Sequence, residues 1–119
     1  MINPQDLADR YVALWNETDG QERLRLIKAF WVPEGLHYVR TLEARGYDAL
    51  EKRVIGSHEK NVRDGGNRFR ARQDAQLLHE MVTFHWEMTP ATGDEVLAVG
   101  LEVLVVNPEG GVLKDYQFV

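Results

Sequence analysis

The sequence contains no cysteine, no run of basic residues and no apolar stretch long enough to cross a membrane. Without cysteine, disulfides and thiolate metal sites are excluded. The net charge of −5 argues against nucleic acid and anionic membranes as partners. An α-helical membrane span needs about 20 apolar residues, and the N-terminal residues lack the pattern of a secretory signal. We therefore expect a cytoplasmic protein.

The length and composition are those of one globular domain. The 119 residues are 44% hydrophobic and 28% charged, which suits a single two-layer core. No internal repeat or low-complexity tract divides the chain. We therefore expect residues 1–119 to form one domain.

The first half of the chain has the apolar spacing of helices. Asn3-Pro4 combines a capping residue with proline at the first helical position, and apolar residues follow at three- and four-residue spacing. The turn formers Pro33-Glu34-Gly35 close a second stripe. The predicted helices cover Pro4–Thr18, Gln21–Trp31 and Tyr47–Val62, with a short strand at Leu36–Leu42.

The second half is strand-like throughout. In Leu77–Met88, alternation puts Val82, Phe84 and Trp86 on one face, which should meet the helices. The other predicted strands are Arg68–Gln73, Val96–Val106 and Val112–Val119. Helices followed by a run of antiparallel strands indicate an α+β fold.

Glu102 is the single charge in the otherwise apolar strand Val96–Val106. A carboxylate there costs several kcal/mol unless it is paired, hydrogen-bonded or protonated. Two interpretations remain open. Either Glu102 is buried with a partner or as a neutral acid, or it lies at a sheet edge with its carboxyl group in water.

The opposite face of Val96–Val106 is also apolar. It carries Val99, Leu101 and Val103, which would form an exposed apolar band on the outer side of a sheet. Such a band is usually covered by a partner chain. We therefore expect a homodimer through the convex sheet face.

Four segments together resemble the SnoaL-like proteins of the nuclear transport factor 2-like superfamily, and the resemblance spans nearly the whole chain. They are Arg10-Tyr11-Val12-Ala13-Leu14-Trp15-Asn16, Arg45-Gly46-Tyr47-Asp48-Ala49-Leu50, Thr83-Phe84-His85-Trp86-Glu87 and Gly100-Leu101-Glu102-Val103. The resemblance implies a cone, in which a curved antiparallel sheet wraps three N-terminal helices around a pocket. Relatives include ketosteroid isomerase, polyketide cyclases and dehydratases, so the fold alone does not define an activity.

The resemblance also implies roles for single residues. Tyr11 falls where ketosteroid isomerase has its oxyanion-stabilising tyrosine, and Glu102 falls where that enzyme has a protonated aspartic acid. Arg40 occupies the position of the family's aspartate base. Because arginine cannot abstract a proton at neutral pH, steroid isomerisation is not expected. We predict instead that Arg40 faces the pocket mouth, where it binds an anionic group or pairs with Glu102 or Asp115.

Further residues are candidates for the pocket. By strand alternation Asp115 is either a second carboxylate that serves as base or a solvated rim residue. His58 is either a core histidine or a general base. The full set of expected pocket residues is Trp15, Tyr38, Arg40, Val54, His58, Phe84, Trp86 and Gln117.

A metal site is not expected, and no cofactor is implied. His85 and Glu87 share a strand face but supply only two ligands, fewer than zinc requires. His79, on the same predicted strand, is too distant to join them.

Two classes of function follow from these observations. One is a pocket that binds a small hydrophobic or amphipathic molecule and isomerises, cyclises or dehydrates a carbonyl or cyclic substrate, with Tyr11, Glu102 and Asp115 as catalytic groups. The alternative is a non-catalytic ligand-binding or dimerisation domain.

Overall fold

A computed structural model describes residues 2–119. In it, three helices pack on the inner face of one curved sheet. Asn3 caps the first helix through a 3.0 Å bond from the Asp6 amide to its side chain, and Asp19 caps the second helix in the same way. The helices are α1 (Pro4–Asn16), α2 (Gly20–Phe30) and α3 (Gly46–Ser57), which continues as a π-helical segment, His58–Arg63. The strands are β1 (Trp31–Val39), β2 (Leu42–Arg45), β3 (Asn67–Ala71), β4 (Gln76–Leu78), β5 (Met81–Pro90), β6 (Ala98–Val106) and β7 (Val112–Phe118).

The sheet is open and of mixed direction. Its strand order is β2-β1-β7-β6-β5-β3, with β4 also paired to β5. The α+β fold with helices wrapped by a curved sheet is confirmed, but the β1–β7 pairing is parallel rather than antiparallel. This pairing joins the N-terminal strand to the C-terminal strand and brings residues that are distant in sequence together on one face of the sheet.

Alternation along the central strands defines the inner face. Val82, Phe84 and Trp86 of β5 are buried, as the aromatic pattern predicts, and so is Glu102 of β6. β6 lies between β5 and β7. The interpretation of Glu102 as a solvated edge residue is therefore wrong.

The predicted strand Leu77–Met88 is in fact a hairpin. β4 ends at Leu78 and β5 begins at Met81, and His79 in the turn has a positive φ of 52°. Leu78 is consequently 73% exposed instead of lying on the aromatic face. The residues on both sides of the turn are apolar, so the alternating apolar pattern of the sequence runs on through the turn and does not reveal it.

The start of β1 also differs from the expectation. The strand begins at Trp31, directly after α2, and includes the predicted turn Pro33-Glu34-Gly35. The pairing with β7 is irregular between Trp31 and Leu36. Proline is tolerated in a strand where the hydrogen-bond ladder is interrupted, so the turn signal marked an irregular strand instead of a loop.

The outer face of the sheet retains exposed apolar residues. Leu97 and Val99 are 45% and 41% exposed, and Phe118 of β7 is 58% exposed. No helix of residues 2–119 is both long enough and apolar enough to span a bilayer.

Candidate functional site

A cavity of about 400 Å³ opens between α1, α3, the π-helical segment and the sheet. Its floor includes Tyr11, Trp86 and Gln117, three residues expected in the pocket or at the catalytic site. Arg53 of α3, which the sequence analysis passed over, lies beside them. The other predicted lining residues found at the cavity are Trp15 and Arg40.

Five side chains beneath and beside this floor form a ring, in which hydrogen bonds run along two branches from Arg53 to a pair of carboxyl groups. Arg53 Nε donates to His37 Nε2 at 3.3 Å, and the Nδ1 of His37 lies 2.7 Å from Asp115 Oδ2. In the other branch, Arg53 Nη2 donates to Gln117 Oε1 at 3.1 Å, and Gln117 Nε2 donates to Glu102 Oε1 at 2.6 Å. The two branches end at Glu102 and Asp115, whose carboxyl groups have oxygens within 4.8 Å of one another. We call these five residues the Arg53–Asp115 ring.

The direction of every bond in the ring follows from Arg53. Because a guanidinium only donates, the Nε2 of His37 must accept, and its Nδ1 must therefore carry the hydrogen that is given to Asp115. Burial, together with the charge of Arg53, lowers the pKa of His37 to about 4. His37 is thus a neutral relay at pH 7, and its contact with Asp115 is a hydrogen bond rather than an ion pair.

Both side chains are 0% exposed, and Glu102 Oε2 and Asp115 Oδ1 have no hydrogen-bond partner within residues 2–119. Because ionised carboxylates only accept, we infer that one proton is shared between the two carboxyl groups. Glu102 Oε1 already accepts from Gln117 and from Trp86 Nε1 at 2.8 Å, as expected of the carbonyl oxygen of a neutral acid.

We assign the shared proton to Glu102. Burial and the neighbouring Asp115 raise the pKa of Glu102 well above its usual range, in the direction expected from its apolar strand. Burial raises the pKa of Asp115 only to about 6, since bonds from Glu102 and Tyr11 and the charge of Arg53 oppose the increase. At pH 7 the ring thus holds one cation, Arg53, and one anion, Asp115.

Tyr11 connects the ring to the cavity. Its hydroxyl donates to Asp115 Oδ2 at 2.9 Å, and the residue also lines the cavity. Burial and the nearby carboxyl groups raise the pKa of Tyr11 well above its ordinary value of 10.0. The tyrosine is therefore a neutral hydroxyl whose proton points towards a carboxylate.

Gly100 allows Trp86 to reach Glu102. A Cβ at Gly100 would lie 2.1 Å from the indole ring of Trp86, far inside van der Waals contact. The indole of Trp86 thus lies flat across β6, and its Nε1 donates to Glu102 from the adjacent strand β5. Any larger residue at Gly100 would displace the indole from both the acid and the cavity floor.

Four residues expected in the pocket lie elsewhere. Val54 and Phe84 are fully buried in the core, and neither lines the cavity. Tyr38 points to the outer face of the sheet, where it stacks on Tyr116 at 5.1 Å, because His37 is the inward residue of this strand. His58 is buried with its Nδ1 3.2 Å from the carbonyl oxygen of Trp15.

Two further expectations need correction. Glu102 lies beneath the cavity floor, so it offers no group directly to a ligand, in contrast to its expected oxyanion role. Arg40 sits in the turn after β1 with a positive φ of 51° and lines the cavity. Within residues 2–119 it pairs with neither Glu102 nor Asp115, whose buried cation is Arg53.

The residue types of the ring could also suit a divalent metal. Ligand atoms of His37, Glu102 and Asp115 lie within 4.8 Å of one another. Both nitrogens of His37 are engaged, however, and the adjacent Arg53 cation would repel a metal. On the strand face considered in the sequence, His85 bonds Asp74 while Glu87 bonds two arginines. The geometry favours a proton over a metal ion at the carboxyl pair.

Comparison with solved structures defines the fold. A SnoaL-like family protein from Agrobacterium tumefaciens, named as a candidate isomerase, superposes with a TM-score of 0.86 at 23% identity, covering 97% of this chain and 95% of that one. An NTF2-like protein of unknown function from Exiguobacterium gives 0.71 at 18% identity over 94% and 96%. A candidate polyketide cyclase from Sinorhizobium meliloti gives 0.65 at 8% identity over 98% and 99%.

The chain therefore has the SnoaL-like, nuclear transport factor 2-like fold that its resemblance implied. No protein-family model matches the sequence, and no curated protein matches it significantly. These similarities define the architecture, while the activity has to be argued from the site.

The shared proton makes a prediction about pH and stability. A carboxyl group whose folded pKa exceeds its ordinary value of 4.5 stabilises the protein fully below that pH, and this contribution is lost as the pH rises towards the folded pKa. We expect the unfolding free energy of the wild type, minus that of Glu102→Gln, to fall between pH 5 and 8, by at most about 1.4 kcal/mol per pH unit. Urea unfolding at each pH measures it.

His37 makes the opposite contribution to the pH dependence, because its lowered pKa adds stability as the pH rises. This contribution is present in both the wild type and Glu102→Gln, so it largely cancels in the difference between them. Asp115→Asn provides a contrasting variant, because it leaves Arg53 without its anion and should cost about 3–5 kcal/mol. A difference between wild type and Glu102→Gln that rises with pH would show that Glu102 is ionised in the folded protein.

Proposed function

We propose that this protein binds a small amphipathic molecule in the cavity above the Arg53–Asp115 ring. The observation that carries the proposal is a cavity whose floor residues Tyr11 and Gln117 bond directly to a buried, proton-sharing carboxyl pair. Its volume lies within the range of small-molecule sites, about 300–1,000 Å³. The lining combines polar and charged side chains with an apolar wall, which is formed by Val12, Trp15, Phe69, Trp86 and Met88.

A second candidate function, proton transfer on a bound carbonyl or cyclic substrate, is favoured by the position of Tyr11. Because its hydrogen is donated to Asp115, its oxygen can accept a proton from a ligand while its own proton passes to Asp115 Oδ2. The carboxylate of Asp115, with a pKa of about 6, is basic enough to receive it near neutral pH. Isomerisation, cyclisation and dehydration all require such a step.

The relay places the base differently from the family pattern. The resemblance puts Arg40 where relatives have an aspartate, and Tyr11 with Asp115 would supply a base in its place. The names of the structural relatives, a candidate isomerase and a candidate polyketide cyclase, are compatible with this chemistry. Binding without turnover is the alternative if the relay transfers no proton.

Filling the cavity should abolish binding. Gly56 lines the cavity, and a Cβ built there meets nothing within 4 Å, so Gly56→Phe occupies the space without a clash near the backbone. We expect isothermal titration calorimetry to show 2-naphthoate or 2-naphthamide binding to the wild type and no binding to Gly56→Phe.

Gly56→Ala serves as the matched control, since it makes the same helix-favouring change with little loss of volume. It should bind the probes as the wild type does. Unchanged binding by a folded Gly56→Phe variant would place the probe outside the cavity and contradict the proposal.

Removing one hydroxyl should stop proton transfer. We expect the wild type to accelerate deuterium exchange next to the carbonyl of 2-tetralone, followed by NMR in D₂O. Tyr11→Phe should lose at least about 100-fold of that acceleration, the low end of general acid–base contributions, while probe binding persists. Tyr38→Phe, on the outer face of the sheet, is the control. Equal exchange rates for wild type and Tyr11→Phe would exclude the relay.

We also propose that the outer sheet face forms a homodimer. The observation behind this is an apolar band across β6 and β7, in which Val99 and Phe118 are exposed and Leu101 and Val103 are half-buried. Sedimentation should show a dimer for the wild type at micromolar concentration and a monomer for Val103→Lys, which inserts a charge into the interface. A monomeric wild type would contradict this assembly.

A further inference from the structure

The cavity carries positive charge in a protein that is negative overall. Arg40, Arg53 and Lys60 all line it, and no aspartate or glutamate side chain does among the described residues. The whole chain has a net charge of −5. Because the chain as a whole is acidic, its overall composition does not explain the excess of cations in the cavity.

Two of these cations lack a counter-ion. Arg53 is balanced by Asp115 through the ring, but Arg40 and Lys60 form no ion pair with any residue from 2 to 119. Cations without an ion pair also occur elsewhere, Arg45 and Lys52 among them, so Arg40 and Lys60 are distinguished by their place in the cavity lining. There the uncompensated charge lies where a ligand would enter.

The remaining wall limits the kind of ligand that fits. Trp15 and Phe69 provide apolar surface, so the molecule needs an apolar body as well as a charged group. The cavity also lacks the helix N-terminus that commonly binds a multiply charged group such as a phosphate, so its two cations suit a singly charged group better.

We propose that the ligand of this cavity is a carboxylate with an apolar body, whose anionic group is held by Arg40 and Lys60. This inference rests on the proposed function and specifies its ligand class. The carboxylate would lie at the mouth and the apolar body would extend along the aromatic wall towards Tyr11.

The test compares 2-naphthoate with its neutral isostere 2-naphthamide by isothermal titration calorimetry at low ionic strength. We expect the wild type to bind the carboxylate about tenfold more tightly, as hydrogen bonds to a charged group contribute that much. The double variant Arg40→Gln/Lys60→Gln should bind both probes equally. The preference of the wild type for the carboxylate should also weaken with added salt, since the mouth of the cavity is exposed.

A second double variant controls for the loss of net charge. Arg45→Gln/Lys52→Gln removes two exposed cations that do not line the cavity, and it should retain the preference for the carboxylate. Equal binding of the two probes by the wild type, or equal loss in both double variants, overturns the inference and leaves the cavity a binding site. Failure of both probes to bind the wild type overturns the proposed function as well.

Discussion

The hydrogen-bond direction of Arg53 is the constraint on which the rest of the site depends. A guanidinium can only donate, and its two bonds fix the tautomer of His37 and the orientation of the Gln117 amide. Both branches then end at the carboxyl pair, where one proton completes the circuit. The ring is electrically neutral because Arg53 and Asp115 carry opposite charges through neutral relays.

This neutrality explains how so many polar groups can be fully buried. A buried charge costs several kcal/mol when its partner is missing, but here Arg53 and Asp115 balance each other, and the inferred proton satisfies the two carboxyl oxygens that have no other partner. The members come from α3, β1, β6 and β7, so the ring exists only when these elements are in register. The parallel β1–β7 pairing, which sets His37 opposite Asp115, is essential to it.

Much of this architecture could be predicted from the sequence. Alternation places Phe84 and Trp86 on the inner face, while the isolated carboxyl of Glu102 is compatible with either a buried group or a solvated edge residue. The resemblance to SnoaL-like proteins predicts the curved sheet that wraps around three helices. Helix periodicity and strand alternation are local properties, and they were reliable wherever a regular element continued without interruption.

The two missed members of the ring show where such reasoning stops. His37 lies on β1, where Pro33 and Gly35 predict a turn before Leu36 although the strand begins at Trp31, so the sequence pattern favours Tyr38 rather than His37 as the inward residue. Arg53 adjoins Val54 on α3, and a charged helix residue suggests solvent until its counter-charge is known. That counter-charge, Asp115, lies at the other end of the chain and is brought close only by the sheet.

The most direct test of the shared proton is the side-chain carboxyl carbon shift of Glu102, followed by NMR across pH and assigned with Glu102→Gln. The shared proton predicts that Glu102 remains protonated through pH 7, with Asp115 ionising before it, near pH 6. Ionisation of Glu102 with a midpoint near its ordinary value of 4.5 would contradict the shared proton and, with it, the relay through Tyr11.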